Sequence, residues 1–294
     1  MTWILLSRFA DAILLASIVT HLMSSFEWTR PRITDSTWRL GEVVFYTLAL
    51  AALAVFLFPF WAPVAQTAGS ESAEPSRALL LVVTLCVILL LLGLLGEAQA
   101  GLTALTVAML GTLVGLNTAL RVAENVVPLP GGFTPVFLLI ALVGYTFGPR
   151  LGFLMGALTL LVSGPFTAGG LGPWTPYQMV AAGWIGLAAA WLPKGKYGLA
   201  ALAVYLTLWG WLYGALTNLY FWPYTLLAPD IGWTPGLGAA ETLTRYARFY
   251  LVTSLLWDTV GAVGNLALLV LAGRPLLEAL ERFRRRAHVI WVPA

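Results

Sequence analysis

The sequence predicts an all-α protein that crosses a membrane several times. Of its 294 residues, 60% are hydrophobic and only 10% are charged, and the mean hydropathy is +0.86. A water-soluble domain carries about a quarter charged residues, so this composition excludes that class. The apolar runs suit a hydrocarbon core that needs roughly 20 helical residues, and they lack the alternation of a transmembrane barrel. The fold class is therefore a polytopic helical membrane protein.

The apolar runs predict about nine transmembrane helices. They cover residues 3–26, 40–62, 78–97, 102–121, 133–148, 150–165, 177–193, 197–221 and 249–273. The fifth and sixth are short for complete crossings. The first contains Arg8, Asp11 and His21 and has no clear cleavage site, which indicates a retained helix and not a signal peptide.

Three regions follow from these spans. Residues 1–98 are a three-helix membrane extension, residues 99–274 are a glycine-rich six-helix core, and residues 275–294 are a basic amphipathic tail. In the tail, Leu276, Leu277, Leu280 and Phe283 form an apolar side opposite several arginines. We expect the tail to lie along the cytoplasmic surface, where anionic lipid attracts it.

The distribution of basic residues predicts the orientation. With a cytoplasmic C-terminus, most Lys and Arg residues fall inside, including Arg150, Lys194 and the run 282–286, whereas Arg121, Arg245 and Arg248 fall outside. The connections at 122–132, 164–176 and 222–248 then face outward. The N-terminus is also outside, because the number of spans is odd.

Small residues form a row along one face of the fourth span, at Ala104, Ala108, Gly111 and Gly115. Such a row lets a second helix backbone approach closely. It serves either packing within the bundle or docking of a separate membrane subunit, and the sequence does not separate the two. Similar rows occur at Gly148, Gly152 and Gly156, and at Gly210 and Gly214.

Three common catalytic motifs are absent from the sequence. The chain has no phosphate-binding loop ending in Gly-Lys-Ser/Thr, no His-Glu-x-x-His and no Gly-x-Ser-x-Gly. With two histidines, His21 and His288, and the lone Cys86, no metal site, cofactor or disulfide is expected. Cys86 lies in an apolar run and is expected to be a buried thiol. The net charge of +3 gives no indication of a nucleic-acid partner.

Polar residues in or beside the spans are the candidate ligand contacts. Arg121, Glu124 and Asn125 end the fourth span, where Arg121 and Glu124 can pair with each other at i,i+3 or contact a ligand. Asp258 and Asn265 lie near one face of the last span and have either a structural or a transport-linked role.

The loop from Gly164 to Pro176 has three prolines, four glycines and no charge. Uncharged irregular backbone at membrane depth needs protein or a cavity around it. Trp174, Tyr177 and Gln178 at its end are expected to form a pocket wall with a polar handle for a flat or bulky, largely uncharged ligand. A third outer group includes Asn218 and Tyr220, whereas Phe221, Trp222 and Trp233 are expected in an interfacial aromatic belt.

Residues 102–286 resemble the substrate-binding S component of energy-coupling factor (ECF) vitamin transporters. The segments that carry the resemblance are ALRVAENVVP, GGFTPVFLLIALVGYTFGPRLGFLMGALTLLVSG, GPWTPYQMVAAGWIGLAAAWLP and WDTVGAVGNLALLVLAG, followed by LLEALERFRRR. Of these, GPWTPYQM with the helix after it is the more specific. The extension 1–98 departs from the family pattern of six helices.

The resemblance implies a prokaryotic plasma-membrane protein that captures a vitamin-like molecule at the outer face, docks on a T component coupled to two ATPases, and topples to release its load. It places the docking surface on Ala104, Ala108, Gly111 and Gly115, and the substrate site around Arg121, Asn125, Trp174, Tyr177 and Gln178. The outer loops look most like those assigned to cobalamin or related corrinoids. Without an outer Cys or His as a cobalt ligand, a corrinoid would be held through its periphery.

Two other function classes remain open from the sequence. One is an intramembrane enzyme that uses Glu124 or Asp258 as acid or base. The other is a membrane scaffold or assembly protein that uses the small-residue faces. A vitamin-dependent rise in melting temperature tests the transport subunit. Turnover that survives substitution of both acids would remove the enzyme, and a scaffold predicts a stable partner but no small-molecule ligand.

Overall fold

The computed structural model describes residues 36–57, 84–93, 95, 104–126, 133–167, 169–172, 174–225, 230–234 and 236–287. Within these ranges the chain forms helices and turns and contains no strand, which confirms the all-α prediction. The first predicted span, with Arg8, Asp11 and His21, lies outside the described residues, as does His288.

Ten helices are described. They are α1 (Ser36–Phe56), α2 (Thr84–Gly93), α3 (Ala104–Val126), α4 (Val136–Phe147), α5 (Pro149–Ser163), α6 (Thr175–Ala189), α7 (Gly198–Phe221), α8 (Ala239–Thr253), α9 (Leu255–Leu268) and α10 (Arg274–Ala287). A π-helical turn, Leu269–Gly273, joins α9 to α10. Gly148, at φ +103°, separates α4 from α5, and Pro149 begins α5, where a missing N–H costs nothing.

Four segments are long and apolar enough to cross a membrane: Ala104–Glu124, Pro149–Phe166, Gly195–Tyr220 and Leu255–Arg285. Large apolar side chains cover the outside of three of them, with Val204 on α7 and Val270 and Leu271 after α9 more than half exposed. An exterior of this kind suits lipid better than water. Helices α4 and α6 are shorter than the spans that the sequence predicts for them, and they lie largely inside the bundle.

Glycines determine the packing at the centre of the bundle. A Cβ at Gly186 on α6 would lie well under 3.0 Å from the carbonyl oxygen of Gly152 on α5, and a Cβ at Gly156 would meet the carbonyl of Ala182 in the same way. Gly144 on α4 contacts Gly186 equally closely. These helices therefore pack backbone against backbone, as small-residue rows permit. The row at Gly152 and Gly156 is an internal packing surface.

Helix α1 from the N-terminal extension packs against this centre. The indole Nε1 of Trp184 on α6 donates to the carbonyl of Ala49 at 3.0 Å, and Phe45 contacts Phe153 edge to face. In the first half of α1, Glu42 forms an ion pair with the buried Arg150, with the carboxyl oxygen 3.4 Å from a guanidinium nitrogen. The extension thus contributes at least one helix that is integral to the core.

The region after α7 differs from the sequence prediction. Helix α8 occupies residues 239–248, which were predicted as part of an outer connection, and residues 249–253, which were predicted as the start of the ninth span. It ends before Ser254, so the last membrane-length helix begins at Leu255 and not at residue 249. The predicted position in an interfacial aromatic belt is also wrong for Trp222 and Trp233. Trp222 is fully buried and Trp233 nearly so, and both pack with Tyr246 and Phe249 of α8 in a small second core.

Helix α9 packs closely on α7 through the second glycine pair. Gly210 leaves room for Ala262, and Gly214 leaves room for the carboxyl group of Asp258. Asn265 is buried and donates to the carbonyl of Leu206 at 3.3 Å. Asp258 and Asn265 therefore both lie in the α7/α9 interface. This position agrees with a structural role, one of the two roles that the sequence left open for the pair.

The basic tail continues from α9 as α10, and part of its apolar side packs on the protein. Phe283 contacts Phe147 at the end of α4, and Leu280 is buried. Arg284 donates to the carbonyl of Thr146 at 3.0 Å, and Lys194 donates to the carbonyl of Tyr145 at 2.5 Å. Two cations thus bind the free carbonyls at the C-terminal end of α4, where the helix dipole is negative.

We expect Phe283→Ala to release α10 from α4, because the alanine loses the ring contact with Phe147 and the apolar area that it buries. The arginines near 282–286 then become better trypsin sites, and limited proteolysis should cut the tail several times faster than in the unmodified protein. Ala279→Ser, on the exposed side of α10, is the matched control. Equal cleavage rates in both variants would contradict this description of the tail.

Candidate functional site

A cavity of about 250 Å³ lies between the end of α3 and the loop before α6. Four of the residues selected from the sequence line it: Arg121, Glu124, Trp174 and Gln178. The other lining residues are Leu160, Gly164, Thr167, Gly169, Gly170 and Thr175. Residues separated by more than 50 positions in the chain thus meet around one hollow, and polar atoms dominate its surface.

The loop between α5 and α6 holds Trp174 in place through short-range contacts. Thr175 Oγ1 accepts from the backbone N–H of Gly172 at 2.9 Å, and the Thr175 N–H donates to the Gly172 carbonyl at the same distance. The Trp174 ring lies so close to Gly172 that a Cβ there would be 2.5 Å from it. Gly170 adopts φ +60°, a conformation that glycine adopts without steric cost. The glycines therefore let the indole fold over its own loop.

Arg121 and Glu124 give this cavity its charge. Arg121 donates to Ser163 Oγ at 2.8 Å, and Ser163 in turn donates to the carbonyl of Thr159 at 2.6 Å. These two hydrogen bonds hold the guanidinium group of Arg121 between α3 and α5. Glu124 lies beside Thr134 and within electrostatic reach of Arg121. Its Oε2 is buried and accepts no hydrogen bond from the described residues.

A second cavity, of about 410 Å³, adjoins the first and shares Trp174 and Gln178 with it. It is also lined by Tyr177, Thr217, Asn218 and Tyr220. Tyr177 on α6 stacks on Tyr220 of α7, with ring centroids 4.5 Å apart and an interplanar angle of 27°. Phe56 of α1 packs against the edge of Tyr177 at 5.2 Å. Aromatic surface therefore dominates this wall, with hydroxyl and amide groups beside it.

Asn218 connects the second cavity to the break between α8 and α9. Its side-chain amide donates to Ser254 Oγ at 2.5 Å, and Ser254 is the residue at which the two helices separate. The hydroxyl group of Tyr246 on α8 also donates a hydrogen bond to the carbonyl of Ala215 on α7. The outer helix α8 is therefore attached to the same helix that carries Asn218 and Tyr220.

The structure places seven of the eight selected substrate residues on one or both cavities. The eighth, Asn125, lies in the last turn of α3, and its side chain is outside the description. Sequence reasoning missed Thr167, Thr175 and Thr217, which supply hydroxyl groups to the walls. Two of them lie in or next to the loop that the sequence singled out, so its position was the available signal.

The small-residue face of α3 is exposed along its length. Ala104, Ala108, Gly111 and Gly115 all face outward, and a Cβ at either glycine would meet nothing within 4 Å. The row on α5 is buried against α6, whereas this one has no such neighbour in the part of the chain described. The two rows that the sequence could not distinguish therefore have different surroundings.

Asp258, the other candidate acid, lies apart from both cavities. Its carboxyl group packs against Gly214 and interacts with Tyr250 of α8. In the described ranges, no three His, Cys, Asp or Glu side chains group together as metal ligands. Cys86 is buried, as expected from the apolar run around it.

Comparisons with known proteins give no match to a protein-family model, to a curated protein or to a solved structure.

Proposed function

We propose that this chain is the substrate-binding subunit of an ECF-type importer in a prokaryotic plasma membrane. It binds a vitamin-like molecule in the two joined cavities and passes it on with a T component and two ATPases. The observation that carries the proposal is the convergence of Arg121, Trp174 and Gln178 on one hollow. Binding sites for small molecules are concave and combine aromatic surface with a few placed polar groups, and the two cavities together offer both.

The location of the cavities supports capture from one side of the membrane. They lie at the end of the bundle formed by the last turns of α3 and α7 and by the loop before α6. The basic contacts of Arg150, Lys194 and Arg284 lie at the opposite ends of the same helices. Under the positive-inside rule the cavities face outward and the C-terminus is cytoplasmic.

The exposed face of α3 supports a separate energy-supplying partner. The sequence has no phosphate-binding loop, so hydrolysis of ATP must come from another chain. Ala104, Ala108, Gly111 and Gly115 allow a helix of a T component to approach closely in the membrane. Helix α1 moves with the core if the core topples, since Trp184 and Arg150 hold it there.

The volumes of the cavities limit the size of the ligand that they can enclose. Each falls near or below the lower part of the range of about 300–1,000 Å³ that encloses drug-sized molecules. A corrinoid is larger than either cavity, so it would be only partly enclosed and held along its periphery. Cobalamin therefore belongs in the test panel beside the smaller vitamins, which the cavities enclose more completely.

The test is a thermal-stability screen of the purified protein against a vitamin panel that includes cobalamin. A ligand at 100 times its dissociation constant stabilises the fold by about 2.7 kcal/mol, which raises the melting temperature measurably. We expect at least one vitamin to do so. An unchanged melting temperature with every member would contradict the proposal.

Substitution of both Gly111 and Gly115 by leucine tests the docking face. Among the described residues, a Cβ at either position meets nothing within 4 Å, so the fold and vitamin binding are expected to stay unchanged. The leucine side chains prevent a partner helix from approaching, so we expect uptake to fall at least tenfold in cells that also produce a T component and the ATPases. Leu105→Ala, elsewhere on α3, is a control. Full uptake by the double variant would show that this face does not dock.

The residues favour the transport subunit over the two alternatives. Asp258 lines neither cavity, so an enzyme with its site in these cavities would have to use Glu124 as its acid or base without Asp258. A scaffold would need the exposed face of α3 but not a lined hollow with a buried acceptor. Turnover that depends on Glu124, or a stable partner with no small-molecule ligand, would favour one of those functions.

A further inference from the structure

The two cavities differ in chemistry although they share a wall. The first is lined by a guanidinium, a carboxyl group, hydroxyl groups and loop backbone, and its surface is mostly polar. The second is lined by three aromatic rings, with more apolar than polar surface. Trp174 and Gln178 belong to both. A single ligand that extends past Trp174 therefore meets charged groups at one end and aromatic groups at the other.

The charged end offers two complementary contacts. Arg121, which donates to Ser163, has a planar guanidinium group, and such groups recognise carboxylate and phosphate oxygens. Glu124 lines the same cavity, and its buried Oε2 accepts no hydrogen bond from the described residues, with the Thr134 hydroxyl beside this carboxyl group. Burying an unsatisfied acceptor is costly, and an N–H group of a ligand removes that cost. Side by side, these groups select a head with both an acidic group and an N–H donor.

The aromatic end selects a planar ring. Tyr177 and Tyr220 are held by stacking on each other, and Tyr177 is only 2% exposed, so its position is fixed by packing. Trp174 completes the wall on the side of the loop. Aromatic rings bind a flat ligand by offset or edge-to-face contact over a large area. Thr217 and Asn218 add polar groups at the margin, which suits ring nitrogens or oxygens.

We infer that the ligand is a two-part molecule, with a planar ring in the second cavity and a dipolar head, bearing an acidic group and an N–H donor, between Arg121 and Glu124. The inference rests on the proposed function and names its substrate class. It also revises the sequence-based expectation of a largely uncharged ligand. A neutral flat molecule would offer neither an acidic group to the guanidinium nor an N–H donor to the Glu124 carboxyl group.

The test uses matched compounds on one ring: tryptophan with both head groups, indole-3-propionate with the acid alone, tryptamine with the amine alone, and indole with neither. Phenylalanine and tyrosine with their corresponding analogues extend the set, and the vitamin panel is measured beside them. Affinities come from isothermal calorimetry on the purified full-length protein. We expect compounds with both head groups to bind at least tenfold more tightly than those with one, and ring-only compounds to bind more weakly still.

Two variants test which residue binds which part of the head group. Arg121→Gln should weaken binding of acid-bearing compounds at least tenfold and change tryptamine less than twofold, whereas Glu124→Gln should do the reverse for amine-bearing compounds. Arg245→Gln, which removes the same charge outside both cavities, is the control, and the melting temperature without ligand checks the fold. Equal loss for acid and amine compounds would overturn the assignment.

The outcomes also separate this inference from the function on which it rests. If a vitamin without a dipolar head binds with full affinity to the Arg121→Gln protein, the transport proposal stands and the two-part ligand is wrong. If vitamins bind but none of the ring compounds with a dipolar head does, the same conclusion follows. If no compound of either set binds, both proposals are wrong.

Discussion

Replacement of Trp174 by alanine is expected to weaken ligand binding on the order of 100-fold. Its ring lines both cavities, so its loss removes aromatic contact along the whole length of the ligand. Buried tryptophans are among the residues whose truncation costs most at binding surfaces. We expect the dissociation constant for the best vitamin to rise on the order of 100-fold, about 2.8 kcal/mol, as measured by calorimetry.

Two controls distinguish a lost contact from a lost fold. Trp257→Ala removes the same side chain from an exposed position on α9 that lines neither cavity, and should leave affinity unchanged. Trp174→Phe keeps an aromatic ring over Gly172 and should recover part of the affinity. Wild-type affinity in the alanine variant would place the ligand elsewhere in the molecule.

Replacement of Gly186 by valine is expected to have the largest effect on stability. Its new side chain would collide with the backbone of Gly152 on α5, and backbone cannot move aside as the end of a flexible side chain can. The helices α5 and α6 must separate, which costs about 3 kcal/mol or more. The folded fraction in mild detergent should fall sharply, as seen by size-exclusion chromatography and thermal unfolding.

Gly111→Val is the matched control for this substitution. It makes the same chemical change inside a helix, but a Cβ at Gly111 meets nothing within 4 Å. Its stability should therefore stay within about 0.5 kcal/mol of the unmodified protein, as is usual for surface changes. If the two variants lost equal stability, the close contact of α5 with α6 would not be what holds the bundle together.

The central helices could be predicted well from the sequence because strong local signals mark their ends. Gly148 and Pro149 end one helix and begin the next, and both described helices begin and end within a few residues of the predicted spans. The loop that holds Trp174 was also identifiable, since a long uncharged segment rich in glycine is unusual between apolar spans. Position in the chain was enough to select residues that share a cavity.

Other features depend on contacts that no single segment encodes. Helix α8 has alternating charged and aromatic residues, which look like a loop until Tyr246 and Phe249 are seen to pack on Trp222. The same ambiguity applied to the glycine rows. Gly152 and Gly111 have similar neighbours in the sequence, and only the arrangement of helices shows that one is buried against Gly186 and the other is open.

The most direct measurement is a structure of the protein with the tightest-binding compound of the panels. The account predicts that its ring lies against Trp174 and Tyr177, and that its head is within hydrogen-bond distance of Arg121 and Glu124. A ligand bound on another surface, with the hollow beside Trp174 filled only by solvent, would contradict it.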